Sequence, residues 1–319
     1  VTAAIPLVEI VRGGVREGVH HGSVVVTAPD GSVLRAVGDV DSATYPRSSN
    51  KPAQATGMLR AGLELPEQAD LALAASSHSG ESAHIARVRE LLRRNGLSEG
   101  ALRCPRDWPL NEAARDERAE QGFGRQRIAM NCSGKHSAML ATCVQRGWSL
   151  DDYLDPKHPL QVELHATVTE LAAEPIAATS VDGCGAPLFA ISLTGLARMF
   201  SHHVTAAPGL PRRRVADAMR AHPWLVSGSG RADSKLMSAV PGLLSKEGVE
   251  GVLALALPDG HGIAIKIEDG AARARLPVAV ATLRTLGIDV GELEALAEEP
   301  LFGGGERVGA VRPIPGALD

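Results

Sequence analysis

Aromatic residues are scarce in this sequence: Phe, Trp and Tyr make up 3% of 319 positions. A platform that stacks nucleic-acid bases needs several exposed rings, so this composition argues against one, and the core must rest on Ala, Val, Leu and Ile. Neither sign of charge dominates. Lys and Arg number 33 against 37 Asp and Glu, a formal net charge of -4, so no global field draws the chain to nucleic acid or an anionic membrane. A small polar metabolite fits better as partner. Cysteine is sparse, and Cys104, Cys132, Cys143 and Cys184 form neither a CxxC pair nor a secreted disulfide framework. Long apolar runs are missing too: the stretch between Asp182 and Arg198 is too short and too polar to span a bilayer as a helix. The opening "VTAAIPLVEIVRGG" carries Glu9 and Arg12 and lacks a basic leader followed by a cleavage pattern, so the expected location is cytoplasmic, with free thiols.

What is present is a clear change of periodicity along the chain. "SVVVTAPDGSVLRAVGD" reads as two strands joined at Pro29, Asp30 and Gly31, and "GVLALALPDGHGIAIKIEDG" as a second hairpin around Asp259 and Gly260. Between them the pattern is helical, in "HIARVRELLRRNG", "SAMLATCVQRG", "LQVELHATVTELAAE" and "RRRVADAMRAH". The expected architecture is therefore α/β, an antiparallel sheet built from N- and C-terminal hairpins with a helical body: one domain over 1–319, β-rich at 1–45 and 250–285 and helical over 46–249. On that plan Lys266, in the last hairpin, can face the helix that begins near Ser48. The charged stretch "CPRDWPLNEAARDERAEQGFGRQR" reads as a surface excursion or lid.

The chemistry begins at "RSSNKPAQA", residues 47–55. Ser48 or Ser49 and Pro52 suit an ordinary helix start. Ser48 and Lys51 are also three residues apart, on neighbouring turns of one helical face. A lysine at its ordinary pKa is a poor base; to activate a serine, Lys51 needs a pKa lowered by about three units, worth about 4 kcal/mol, which burial and a second cation supply together. Lys266 is the expected second cation, although "IAIKIEDG" equally fits an outward lysine on an edge strand. "SSHSGESAH" adds Ser77 and Ser79 around His78, where helix capping is the competing role. "NCSGKHSAM" places Cys132, Lys135 and His136 in a turn before a helix, and "VDGCGAP" puts Cys184 in a glycine-rich loop. Two cysteines without regular spacing are a weak zinc signature, and buried structural thiols are the plainer alternative. A phosphate-binding loop is excluded, because position 129, where the first glycine of that motif belongs, is alanine.

Five islands, "RSSNKPAQA", "SHSGE" (77–81), "NCSGKH" (131–136), "DGCG" (182–185) and "GIAIKIEDG" (262–270), together resemble the thermolabile asparaginase II family, the Rhizobium etli type. The resemblance implies a fold similar to serine β-lactamases and glutaminases, and an L-asparaginase that hydrolyses L-asparagine to L-aspartate and ammonia through two serine–lysine pairs. Carried over residue by residue, those pairs are Ser48 with Lys51 and Ser77 with Lys266. It also implies zinc, held by Cys132, Lys135 and Cys184 in a tuning or positioning role, with His136 and Asp182 beside it, and a homodimer. Arg47, Asp182 and His136 carry suitable charges for the substrate's α-carboxylate and α-ammonium. The strand lysine is followed by Ile267 and Glu268 rather than Thr and Gly, which argues against a β-lactamase. A related serine acyl hydrolase, or a zinc-binding protein without catalysis, are the alternatives.

Overall fold

The computed structural model describes residues 3–318. The chain opens with β1 (Ile5–Arg12), β2 (Val15–Thr27) and β3 (Val33–Val37), then enters the helical body through α1 (Lys51–Arg60), α2 (Gln68–Ala74), α3 (Ser82–Arg94), α4 (Glu112–Glu120), α5 (Ser133–Arg146) and α6 (Pro159–Ala172). A small two-stranded sheet, β4 (Ala178–Val181) and β5 (Pro187–Ala190), precedes α7 (Leu193–Thr205), α8 (Pro211–Ala221), α9 (Pro223–Ser227) and α10 (Ala232–Ala239). The chain then returns to the sheet as β6 (Leu244–Gly248), β7 (Val252–Ala256) and β8 (Gly262–Ile267), and ends with α11 (Arg275–Thr285), β9 (Glu299–Gly303) and β10 (Glu306–Pro313).

The main sheet is antiparallel, with strand order β6-β7-β8-β2-β1-β10-β9 and β3 added beside β2. Side chains alternate across it with the period of two that a pleated strand imposes. Val25, Val252, Ala254 and Ala264 join the core shared with the helical body, while Val24, Leu253, Ile263 and Ile265 face the other way and pack on α11. Both expected hairpins are present, β2–β3 and β7–β8. The sheet is larger than the sequence suggested. β6 lies inside the stretch assigned to the helical body, and β10, from the far end of the chain, pairs with β1. Neither strand shows a run of β-branched residues: "LSKEG" in β6 is polar and nevertheless wholly buried.

Small side chains let α1 sit at the centre of the helical layer. Every residue from Lys51 to Leu59 is buried, the pattern of a helix enclosed on all sides. The charged excursion forms α4, capped by the Asn111 side chain accepting from the Ala114 N–H, and its surface is mostly exposed. Among the described residues no helix is long and apolar enough to cross a membrane.

Candidate active site

Three lysines, Lys51, Lys135 and Lys246, are among the largest fully buried side chains. Lysine is almost never buried without a partner, so each demands an account. Lys246 on β6 donates to Asp233 Oδ2 at 2.8 Å and to the Glu247 carbonyl at 3.0 Å. Both members of that ion pair are fully buried. Asp233 also accepts from the Ser245 hydroxyl and the Glu247 N–H, each at 2.8 Å, so its carboxylate is well satisfied. Lys135 on α5 lies 3.1 Å from Cys184 Sγ. Lys51 differs from both: it donates to the Ser76 carbonyl at 2.6 Å and to Ser77 Oγ at 2.8 Å, and neither acceptor is charged. Burial therefore lowers the Lys51 pKa; Cys132 opposes this, and the Lys135 and Lys246 ammonium groups reinforce it.

The elements that deliver these groups are tied together by hydrogen bonds. Residues Arg47–Asn50 form a 3-10 turn before α1, and no side chain caps the turn or the helix. The Ser49 hydroxyl instead donates to the Lys246 carbonyl at 2.8 Å, which fixes β6 beside the Ser48 turn. Gly248 makes that approach possible, because a Cβ there would stand 2.6 Å from the Pro46 carbonyl oxygen. Ser77 is held by its N–H to the Val226 carbonyl at 2.8 Å, and the next residue by its N–H to the Asn131 carbonyl at 3.1 Å. His78 is a structural group. Its Nδ1 accepts from the Gly80 N–H, so Nε2 carries the proton toward Ser133 Oγ at 2.9 Å, and burial holds its pKa well below the usual range. Ser79 caps no helix; its hydroxyl donates to Glu81 at 2.5 Å.

Ser48 and Ser77 line one cleft of about 300 Å³, with Leu110, Asn131, Arg231 and the strip from Glu247 to Gly251 among its walls. Leu110 comes from the charged excursion, which therefore contributes to the rim. Glu247 is buried but holds its negative charge: burial pushes its pKa up, and Arg231, Lys246 and Arg275 together bring it below the ordinary value. Its partners are Arg231 and, at 2.9 Å, Arg275.

The cysteine cluster lies beside Lys51, and neither Cys132 nor Cys184 lines the cleft. Interaction with Cys132, Lys135 and His136 holds Cys184 well below the usual thiol range, while Cys184 and burial raise Cys132 well above it. Cys184, Cys132 and Asp182 raise the Lys135 pKa against the cost of burial. His136 is fully buried and its Nδ1 lies 2.7 Å from the Tyr153 hydroxyl. Its Nε2 is also buried and has no hydrogen-bond partner. Among the described residues no group of three His, Cys, Asp or Glu side chains is placed to hold a metal, so any site here consists of two thiols and an amine with His136 adjacent.

Two of the sequence-derived placements need correction. Lys266 does not reach the serines: it stands on β8 opposite Ser23 and Val252, its Nζ donates to the Ile267 carbonyl at 2.5 Å, and it lines a separate cleft with Asp39, Ser42 and Glu268. Lys246, like Lys135, is instead the kind of cation expected near Lys51, close enough to reinforce the lowering of its pKa. The sequence carries only a partial signal for this: Lys246-Glu247-Gly248 shares the lysine and glycine, and lacks the threonine, of the K-T-G strand that accompanies S-x-x-K in penicillin-recognising enzymes. His136 is not a wall of the cleft either, because it is enclosed against Tyr153. Arg47 and Asp182 are bonded to each other at 2.8 Å, so their charges are already matched. Ser48, Lys51 and Ser77 are brought together, and so are Cys132, Lys135 and Cys184.

Comparison with solved structures places the chain near Mglu in its native form, at 15% identity and TM-score 0.47, covering 85% of this chain and 66% of that one. Mglu in its glutamate form gives 15% and 0.48, with coverages of 83% and 61%. A beta-lactamase from Mycobacterium bovis gives 14% and 0.43, with coverages of 83% and 94%. The chain spans just under two thirds of the length of the first of these structures. No curated protein matches it. The family model described as L-asparaginase II matches residues 8–313, nearly the whole sequence, and the chain belongs to that family.

Proposed function

We propose that the chain hydrolyses the side-chain amide of L-asparagine to L-aspartate and ammonia through a serine nucleophile. The observation that carries this reading is the buried Lys51 amine, 2.8 Å from Ser77 Oγ and three residues from Ser48, with both serines opening onto one cleft. An amide carbon needs a nucleophile, a route for a proton to the departing ammonia, and donors for the oxyanion. Ser48 is the proposed nucleophile and Lys51 the base that takes its proton. Ser77 receives a hydrogen bond from Lys51 and passes the proton on to the leaving amine. The ester formed on Ser48 is then hydrolysed by water, which regenerates the serine. The Ser48 N–H has no acceptor among the described residues and is the proposed oxyanion donor. Lys246, fixed by Asp233, is the cation that disfavours a second charge on Lys51.

Zinc belongs to the same proposal. Paired thiols, one of them thiolate, a lysine amine in contact with it and an unpartnered buried imidazole nitrogen are suitable surroundings for that ion. Cys132, Lys135 and Cys184 would hold it, and a bound zinc would supply a fixed positive charge beside the site. A homodimer rests on the family resemblance alone.

The test is ammonia release from L-asparagine, with L-glutamine and a chromogenic β-lactam alongside. Ser48→Ala is expected to lower kcat by at least about 10³-fold, from loss of the covalent route, with the fold intact. Full activity in that variant would transfer the nucleophile's role to Ser77. Hydrolysis of the β-lactam in preference to both amides would replace the asparaginase reading with the related acyl hydrolase.

A further inference from the structure

Among the described residues, three other than glycine have a positive φ: Arg47 (51°), Ala173 (55°) and Glu250 (61°). Ala173 is explained by its place as the left-handed cap of α6. The other two do not cap the C-terminus of a helix. Arg47 immediately precedes Ser48, and Glu250 lies in the turn between β6 and β7, where Gly248 pairs with Val252 and Gly251 also has a positive φ of 72°. In the three-residue loop 249–251 the last two residues both have a positive φ, a conformation that suits Gly or Asn, since a long side chain gains nothing from the left-handed region and strains it. Here the first of those two is glutamate. Where a residue violates its local turn chemistry without a packing reason, function is the usual cause.

The two strained residues face each other. Arg47 Nη1 is 3.7 Å from Glu250 Oε1, too long for a hydrogen bond, while the Nε of the same guanidinium is committed to Asp182 at 2.8 Å. Glu250 is two-thirds exposed, accepts no hydrogen bond among the described residues, and lines the same cleft as Ser48. It is a carboxylate at the mouth of the site whose charge is answered only loosely, by Arg47 at 3.7 Å and by the Lys266 ammonium within electrostatic range, with no hydrogen bond to either. In an amino-acid amide attacked at its side-chain carbonyl, the α-nitrogen lies about 4 Å from the attacked carbon, three bonds away. Ser48 and Glu250 line one cleft, so a substrate attacked by Ser48 carries its cationic group in the cleft that this carboxylate borders.

We infer that Glu250 determines specificity by receiving the α-ammonium group of the substrate, its strained turn serving to hold the carboxylate over the cleft. The inference rests on the reading of the cleft as an amino-acid amidase site, and it names the residue that separates amino-acid amides from amides lacking the amine. The charge-assisted hydrogen bond formed on binding replaces the loose contact with Arg47.

The experiment compares the native chain with Glu250→Asn on L-asparagine and on succinamic acid, which keeps the amide and the carboxylate and lacks the α-ammonium. Asparagine suits the turn, so thermal unfolding of the variant should be no lower than that of the parent. KM for L-asparagine should rise about tenfold, the equivalent of about 1.4 kcal/mol, with kcat within about twofold. For succinamic acid kcat/KM should stay within about twofold, so that the preference between the substrates collapses. An unchanged preference, or an equal fall in kcat on both substrates, overturns the inference and leaves the asparaginase reading standing. If the native chain releases ammonia from neither amide, the reading and the inference both fall.

Discussion

Replacing Lys246 by methionine would leave Asp233 as an unpaired carboxylate with no exposed surface, still bonded to the Ser245 hydroxyl and the Glu247 N–H but without its counter-charge. Removing one partner of a buried ion pair costs about 3–5 kcal/mol. Against a net stability of about 5–15 kcal/mol, that is a large fraction, and it should appear as a lower urea midpoint at unchanged slope. Asp233→Asn alone should cost a similar amount, because it strands the ammonium while keeping an oxygen for the same two donors. The double variant removes both charges and retains those two bonds, so it should recover much of the loss. The expected coupling is at least about 2 kcal/mol. Losses that add to within about 0.5 kcal/mol would show that the two groups do not act as a pair, and would refute the account of how β6 carries a buried cation. Lys266→Met supplies the contrast. That side chain bonds only to the carbonyl of its own neighbour and lines another cleft, so it should cost less than about 1 kcal/mol and leave ammonia release intact.

Two further outcomes follow from the buried groups. Burial pushes the His203 imidazole down to about 4, with its Nδ1 donating to the Met199 carbonyl at 2.7 Å. An unfolded histidine titrates near 6.5, so between these values the unfolded chain binds more protons. Stability should be complete above about pH 6.5 and fall by about 3 kcal/mol as the pH drops toward 4. His203→Gln should flatten that part of the urea-midpoint profile, and a slope identical to the parent's would contradict it. For the thiol cluster, the expected result is stoichiometric zinc by mass spectrometry in the native chain and its loss in Cys132→Ala, together with a lower melting temperature of the native chain in chelator. Unchanged metal content in the variant would remove Cys132 from the proposed ligands.

The sequence exposed those parts of the site that lie on strongly periodic elements. Ser48 and Lys51 sit at the entrance to α1, which Pro52 and a run of small residues announce, and Ser77 comes from a short loop rich in hydroxyls. α3, α5, α6 and α8 follow amphipathic or alanine-rich patterns, and the Asp-Gly turn marks β7–β8. Lys246 was hidden for a physical reason. Strand patterns are read from hydrophobicity, and β6 buries serine, lysine and glutamate through the Asp233 and arginine contacts, which only the tertiary structure supplies. β8 offers the opposite case. Its alternation is clean and its lysine conspicuous, but the sheet order sets it two strands in from β6, and Lys266 opens onto another cleft. β10 was also missed, because the pairing with β1 that makes it a strand joins opposite ends of the chain.

The hydrogen bond from Ser49 to the Lys246 carbonyl links positions 197 residues apart. A chain emerging from the ribosome can complete most of its helices before β6 exists, yet the hydroxyl and amine around Ser48 cannot be locked in register until that strand docks. Contacts of such high order are slow to form, since the closure entropy of the intervening loop is lost before any native interaction offsets it. Catalytic competence should therefore be the last property acquired during refolding, trailing the recovery of helical signal, and a truncated or stalled polypeptide would be helical but inert.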